Sequence, residues 1–230
     1  MKVEKILGYD VHRKKVKNIN LRINEKMEIY ISAPLNLHTE YIENFIRSKE
    51  EWIKSVLKKV EKVKEERKEF EYVTGEKHKL LGTEYTLIVK NGNSNKINFN
   101  KEKQEIILYT DRENTEARKK IVEKWYFDCA KKIFPQIMGK WLKILNEHIE
   151  HLSIKPMKTR WGSCNYNKKY INLNVELIKR SVFEIEYVVL HELAHLKYPN
   201  HGRGFYNYVE SYMSNYKLAE KMLNAKHYYK

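Results

Sequence analysis

The sequence predicts an α+β protein, with strand-forming segments gathered in its first half and helices filling the second. Three observations carry this prediction. Apolar and polar residues alternate through residues 5–11, 16–23, 27–32 and 85–89, the period of a half-buried strand. From Glu113 to about Glu150 the apolar anchors Ile121, Val122, Trp125, Ile133, Ile137, Trp141, Leu142 and Leu145 recur at helical spacing,. After a short extended stretch over residues 153–173, helical patterning returns in residues 183–197, 204–214 and 217–224.

Each element has its own signal. The first three strands occupy residues 5–11, 16–23 and 27–32, and Ala33-Pro34 closes the last of them. One long helix is expected from about Thr39, because Ile42, Phe45, Ile46, Trp52, Ile53, Val56, Val60 and Val63 fall on a single face,. The charges of residues 58–69 read as its solvated end. Gly75, Leu80-Leu81-Gly82 and residues 85–89 read as paired strands, with Asn91-Gly92 as a turn signal and residues 97–99 and 106–109 as further strands,. Pro135, which lacks an N–H, is expected to kink or divide the helix that follows. No internal repeat is visible. The pattern suggests a β-rich region over residues 1–112 and a helical region over 113–230, together forming one integrated unit.

At 230 residues the chain can bury a real core, and 42% hydrophobic and 12% aromatic content marks it as folded rather than disordered,. No apolar run is long enough to span a bilayer, and the charged first ten residues do not resemble a secretory signal,. The two cysteines, Cys129 and Cys164, form no CxxC pair, which fits a reducing compartment, so the expected location is cytoplasmic with no membrane partner,. A formal net charge of +15 is compatible with attraction to nucleic acid or nucleotides,. The basic residues are scattered over helix faces, however, and Lys, Asn, Ile and Tyr are enriched together, which also fits compositional drift.

The chemistry concentrates in Val188-Val189-Leu190-His191-Glu192-Leu193-Ala194-His195-Leu196. Residues four apart on a helix stand one turn above each other. His191 and His195 can therefore aim two imidazoles at one metal ion, and Glu192 lies beside them as the candidate general base, placed to take a proton from a water held by the metal. Ile185, Val188, Val189, Leu193 and Leu196 would bury the other faces. A catalytic zinc site needs a third protein ligand. His201 is the first candidate because Pro199-Asn200 favours a reversal of the chain, and Glu210 and Glu220 are the alternatives. Tyr198 stands where the metzincin pattern requires glycine, and no Met-turn follows,.

A second signal is Lys158-Thr159-Arg160-Trp161-Gly162-Ser163-Cys164, an extended segment shortly before the histidine helix. An open strand edge there would hold an extended substrate, with Arg160 for a carboxylate or phosphate; the alternative is a core strand in which Trp161 packs and Gly162 admits a second backbone. Arg160, Tyr198 and Tyr206 are candidate oxyanion stabilisers, and Cys164 reads as a small buried thiol.

With these blocks in hand, the sequence resembles the YgjP-like metallopeptidase-domain family, relatives of the SprT-like zinc proteases. The likeness rests on the His191–His195 block continuing through Pro199-Asn200-His201 to Phe205, and on Arg160-Trp161-Gly162-Ser163-Cys164 about thirty residues upstream. Phe45, Trp52, Ile53, Leu81-Gly82, Tyr85 and Leu87 add weaker support. The resemblance implies a zincin-like helical metal region behind an N-terminal β-rich half, one Zn2+ held by His191, His195 and His201, and Glu192 as catalytic base. It departs from the family at Gly202-Arg203-Gly204. The expected activity is zinc-dependent peptide hydrolysis of peptides or unfolded proteins. The alternatives are nucleoside-triphosphate hydrolysis at the same metal and a protease associated with nucleic acid.

Overall fold

The computed structural model describes residues 2–23, 29–55 and 70–227, and the chain divides into two compact units, Met1–Lys68 with Tyr228–Lys230 and Glu69–His227. The α+β class holds, with strands ahead of a helical second half. The boundary lies at 68/69, whereas the sequence suggested 112/113. The reason is packing: Leu80, Tyr85, Leu87, Ile106 and Leu108 share one core with the helices that follow.

In the first unit, β1 (Lys2–Ile6), β2 (Tyr9–Lys14), β3 (Asn20–Ile23) and β4 (Ile29–Pro34) form a sheet of order β1-β2-β4-β3, with β2 and β4 parallel. The expected single strand over 5–11 is a hairpin. Leu7 (φ 49°) and Gly8 (φ 85°) make its two-residue turn, and a two-residue turn preserves the alternation that suggested one strand. Helix α1 (Thr39–Ser48) follows, and Ile42, Ile46 and Ile53 pack on Ile6, Val11, Ile31 and Ala33. The expected long helix is interrupted at Lys49, and helical backbone resumes at residue 50. Its continuation through Val56, Val60 and Val63, the charges of residues 58–69, and the start of the strand proposed at 27–32 lie outside the described residues.

The second unit begins with β5 (Lys77–Leu80), β6 (Thr83–Lys90), β7 (Lys96–Asn100) and β8 (Glu105–Tyr109), in the order β5-β6-β8-β7 with β6 and β8 parallel. The two four-stranded sheets therefore share one topology, and each opens on a hairpin turned by a Leu-Gly pair at positive φ, Leu7-Gly8 and Leu81-Gly82. This is a repeat that the sequence did not reveal. Asn91-Gly92 does not make a hairpin, because β7 pairs on the far side of β8 rather than with β6. Gly82 is doubly constrained: its φ is +83°, and a Cβ there would meet Ser181 Cα at 2.9 Å.

Helix α2 (Thr115–Leu145) is capped by Asn114, whose side chain accepts from the backbone N–H groups of Glu116 and Ala117. It runs undivided past Pro135. Proline inside a helix costs about 3 kcal/mol, but Val122, Tyr126, Ala130, Phe134, Met138, Trp141 and Leu145 form a buried stripe on both sides of it. Full burial of such a large apolar side chain contributes about 1.5–3 kcal/mol, so the stripe outweighs the proline.

A third sheet has the order β10-β11-β9: β9 (His151–Lys155) lies parallel to β11 (Tyr170–Asn174), and β10 (Gly162–Asn165) is antiparallel to it and forms an edge. A 3₁₀ turn (Val175–Lys179) then leads into α3 (Val182–Ala194), α4 (Arg203–Tyr212) and α5 (Tyr216–His227). Among the described residues, no helix is long and apolar enough to cross a membrane.

Candidate metal centre

Helix α3 is fixed at its start by a capping box. The Ser181 hydroxyl accepts from the Glu184 N–H, and the Glu184 carboxylate accepts from the Ser181 N–H at 3.0 Å, satisfying two donors that a helix start otherwise leaves unpaired. Ile185, Val189, Leu190, Leu193 and Ala194 are at most 1% exposed, so the helix cannot rotate about its axis without losing its core. That fixes the direction of His191 and Glu192. Regular α-helix ends at Ala194, with His195 as its C-cap. The N–H groups of Lys197 and Tyr198 then donate to the Ala194 carbonyl, and the reversal carries His201 back to the helix.

The three imidazoles converge, with one nitrogen of each lying within 4.8 Å of the others. His201 Nε2 and His191 Nε2 are 3.0 Å apart. His195 Nδ1 lies 3.1 Å from the Tyr198 carbonyl. A carbonyl only accepts, so Nδ1 carries the proton and Nε2 keeps its lone pair for a ligand. Tyr187 Oη is 3.5 Å from His191 Nδ1 and occupies the corresponding outer position. Phe205, at the start of α4 and 1% exposed, packs its ring 4.7–4.9 Å from all three imidazoles. Of the rival third ligands, Glu210 is exposed on α4, and Glu220 lines the cleft outside the histidine cluster.

Electrostatics agree with this donor set. Burial, then the neighbouring His195 and His201, push the His191 pKa down to about 3, and burial lowers that of His195. Neutral imidazoles with free lone pairs are the form a first-row metal ion binds. Glu192 is 6% exposed, and burial pushes its pKa up to about 8 against the opposing pull of Arg160. The residues present therefore fit a metal ion.

Glu192 lies against Gly162. A Cβ at position 162 would stand 2.7 Å from Glu192 Oε1 and 2.8 Å from its Cγ, so glycine is what lets β10 approach the carboxylate. A cleft of about 520 Å³ opens over this contact, with Arg160, Trp161, Gly162, Ser163 and Cys164 along one side. Ser163 Oγ accepts from Asn172 Nδ2 at 3.0 Å, and burial pushes the Cys164 thiol up to about 11. Neither Tyr198 nor Tyr206 lines the cleft. The Tyr198 ring packs on Tyr208, and Tyr206 stacks on Tyr216. Of the three candidate oxyanion stabilisers, only Arg160 borders the cleft.

Sequence reasoning missed Asn174. Fully buried, it donates from Nδ2 to the carbonyls of Met157 and Arg160, both at 2.8 Å, and accepts the Glu176 N–H at Oδ1, while its own N–H donates to Trp161. It holds residues 157–161 ahead of Gly162. The only local signal is an asparagine two residues before Glu176, the pattern of a helix cap. Tyr187 was also missed, since it reads simply as one more apolar anchor of α3.

The family model described as YgjP-like, metallopeptidase domain, matches residues 17–226. Solved structures similar to part of the chain include the metallopeptidase zymogen jannalysin of Methanocaldococcus jannaschii, with 32% identity over 40% of this chain and 92% of that one and a TM-score of 0.35. Another is the metallopeptidase zymogen abylysin of Pyrococcus abyssi, with 21% identity over 40% of this chain and 94% of that one and a TM-score of 0.37. No curated protein matches the chain.

Proposed function

The chain belongs to the YgjP-like metallopeptidase-domain family, and from that premise we propose that it is a zinc-dependent peptidase with His191, His195 and His201 as ligands and Glu192 as general base. The observation that supports this most is the convergence of three imidazoles beside a buried carboxylate on the wall of a cleft. Three nitrogen donors suit zinc, which when bound supplies the Lewis acidity that polarises a carbonyl and acidifies water.

The remaining roles belong to the chain. Edge strand β10 offers main-chain groups to which an extended peptide adds as a further strand,. Glu192, held against Gly162, takes a proton at a carboxylate oxygen from the attacking water and returns it to the leaving amine. The Tyr198 carbonyl and the Tyr187 hydroxyl orient the imidazoles of His195 and His191,. Arg160 lies at the cleft as the candidate to stabilise developing negative charge,.

No observation favours a nucleotide substrate or a nucleic-acid partner. Among the described residues Arg160 is the only Lys or Arg lining the cleft, where it shares the walls with Glu192 and Glu220, a poor setting for a triphosphate. The test is to incubate zinc-loaded wild type and Glu192→Gln with unfolded proteins or peptides and, separately, with nucleoside triphosphates. Peptide products from wild type alone are expected. Phosphate release that depends on Glu192, without peptide cleavage, would overturn the proposal.

A further inference from the structure

Glu220 lines the same cleft but takes no part in the histidine cluster. It sits on α5, half-buried, and among the described residues it has no hydrogen-bond or ion-pair partner. Its neighbours in sequence, Lys217 and Lys221, are both exposed. The surroundings also have a defined character. Val188, Leu223 and Tyr187 line the cleft with Glu220 and give its wall there an apolar character. An apolar wall with a carboxylate beside it matches a side chain with a hydrocarbon stem and a cationic head.

Resting on the peptidase reading, we infer that Glu220, with Val188, Leu223 and Tyr187, forms a specificity subsite beside the metal centre for a positively charged peptide group, an ammonium or guanidinium. The chemistry is shared by a lysine or arginine side chain and by a free N-terminal amine. A charge-assisted contact of this kind is worth about 10- to 100-fold in affinity.

The test separates recognition from catalysis. Zinc-loaded Glu192→Gln is titrated with fluorescent peptides carrying lysine, norleucine or glutamate at each position, with and without N-terminal acetylation. A lysine preference of about 10-fold or more at one position is expected. Adding Glu220→Gln should erase that preference, and Glu220→Lys should turn it toward glutamate, with the melting temperature of each variant confirming its fold. A lysine preference that persists after acetylation assigns the subsite to a side chain, whereas equal binding of lysine and norleucine with an affinity lost on acetylation and on Glu220→Gln assigns it to the N-terminal amine. Equal binding of lysine and norleucine peptides with no effect of acetylation, or a preference that survives Glu220→Gln, overturns the inference. Cleavage of the same peptides by wild type is scored separately: selective binding without cleavage refutes the peptidase reading alone, and the absence of any peptide binding overturns both.

Discussion

Replacing Gly162 with alanine tests how the proposed general base, Glu192, is held. The glycine backbone lies outside the left-handed region, so the added methyl meets a steric obstacle and no backbone strain. That obstacle is Glu192, at 2.7 Å from Oε1, 2.8 Å from Cγ and 3.0 Å from Cδ. Ordinary van der Waals contact begins near 3.4 Å, so the carboxylate must retreat by about 0.7 Å. Glu192 is the far end of a flexible side chain, which makes the retreat cheap in stability, but it is 6% exposed and has little room to choose its new place. A displacement approaching 1 Å at a catalytic group costs about 100-fold in rate. Gly162→Ala should therefore lower kcat for peptide cleavage by about that factor, with zinc content retained and the melting temperature shifted by only a few degrees. The assay is steady-state cleavage of a fluorogenic peptide alongside metal analysis and thermal unfolding. Activity within threefold of wild type would refute the argument, because it would mean that the carboxylate is not positioned by this contact. Loss of zinc or of fold would also refute it, by placing the damage elsewhere.

Asn174→Ala leaves the carbonyls of Met157 and Arg160 and the N–H of Glu176 without their partner, and should cost about 2–4 kcal/mol in urea unfolding; a change below 1 kcal/mol would show that water replaces it. His201→Ala should weaken zinc binding by more than about 100-fold in competition with a chromophoric chelator, since even outer-shell changes cost 10- to 100-fold, whereas Glu210→Ala, on an exposed position of α4, should leave it unchanged; the reverse order would move the third ligand to α4. His78 is 3% exposed and burial lowers its pKa. Below about 6.5 the unfolded chain binds a proton that the folded chain refuses, so His78 makes stability fall as pH drops from 6.5 towards its lowered value. His78→Phe should flatten that part of a stability-against-pH curve, and an unchanged slope would clear His78 of the effect.

What was legible in the sequence is what helical geometry makes local. His191, Glu192 and His195 are fixed relative to one another by one turn of α3, and the apolar residues around them announce that the turn is buried. His201 was nearly as readable, because Pro199-Asn200 marks a reversal only a few residues long. The pairing of Glu192 with Gly162 was not readable, since it joins a helix to a strand thirty residues away, and nothing in the composition of either segment specifies the contact. Asn174 hides for the same reason: its cap is local, but the carbonyls it binds belong to a loop reached only when β11 pairs with β10. The sheets mislead in a related way. Alternation survives a two-residue turn, so one strand was read where Leu7-Gly8 makes two, and Asn91-Gly92 suggested a hairpin where β8 intervenes. Strand order depends on which edges meet, and the 3.6-residue and 2-residue periods carry no information about that. A histidine cluster could thus be read from sequence, whereas the cleft lining around it, from β10 and from Glu220 with Leu223, comes from elements brought together only by the fold. Under the proposed peptidase function, substrate preference is therefore to be sought by substitutions on β10 and α5 rather than within the HExxH turn, where changes are expected to abolish activity without altering its selectivity.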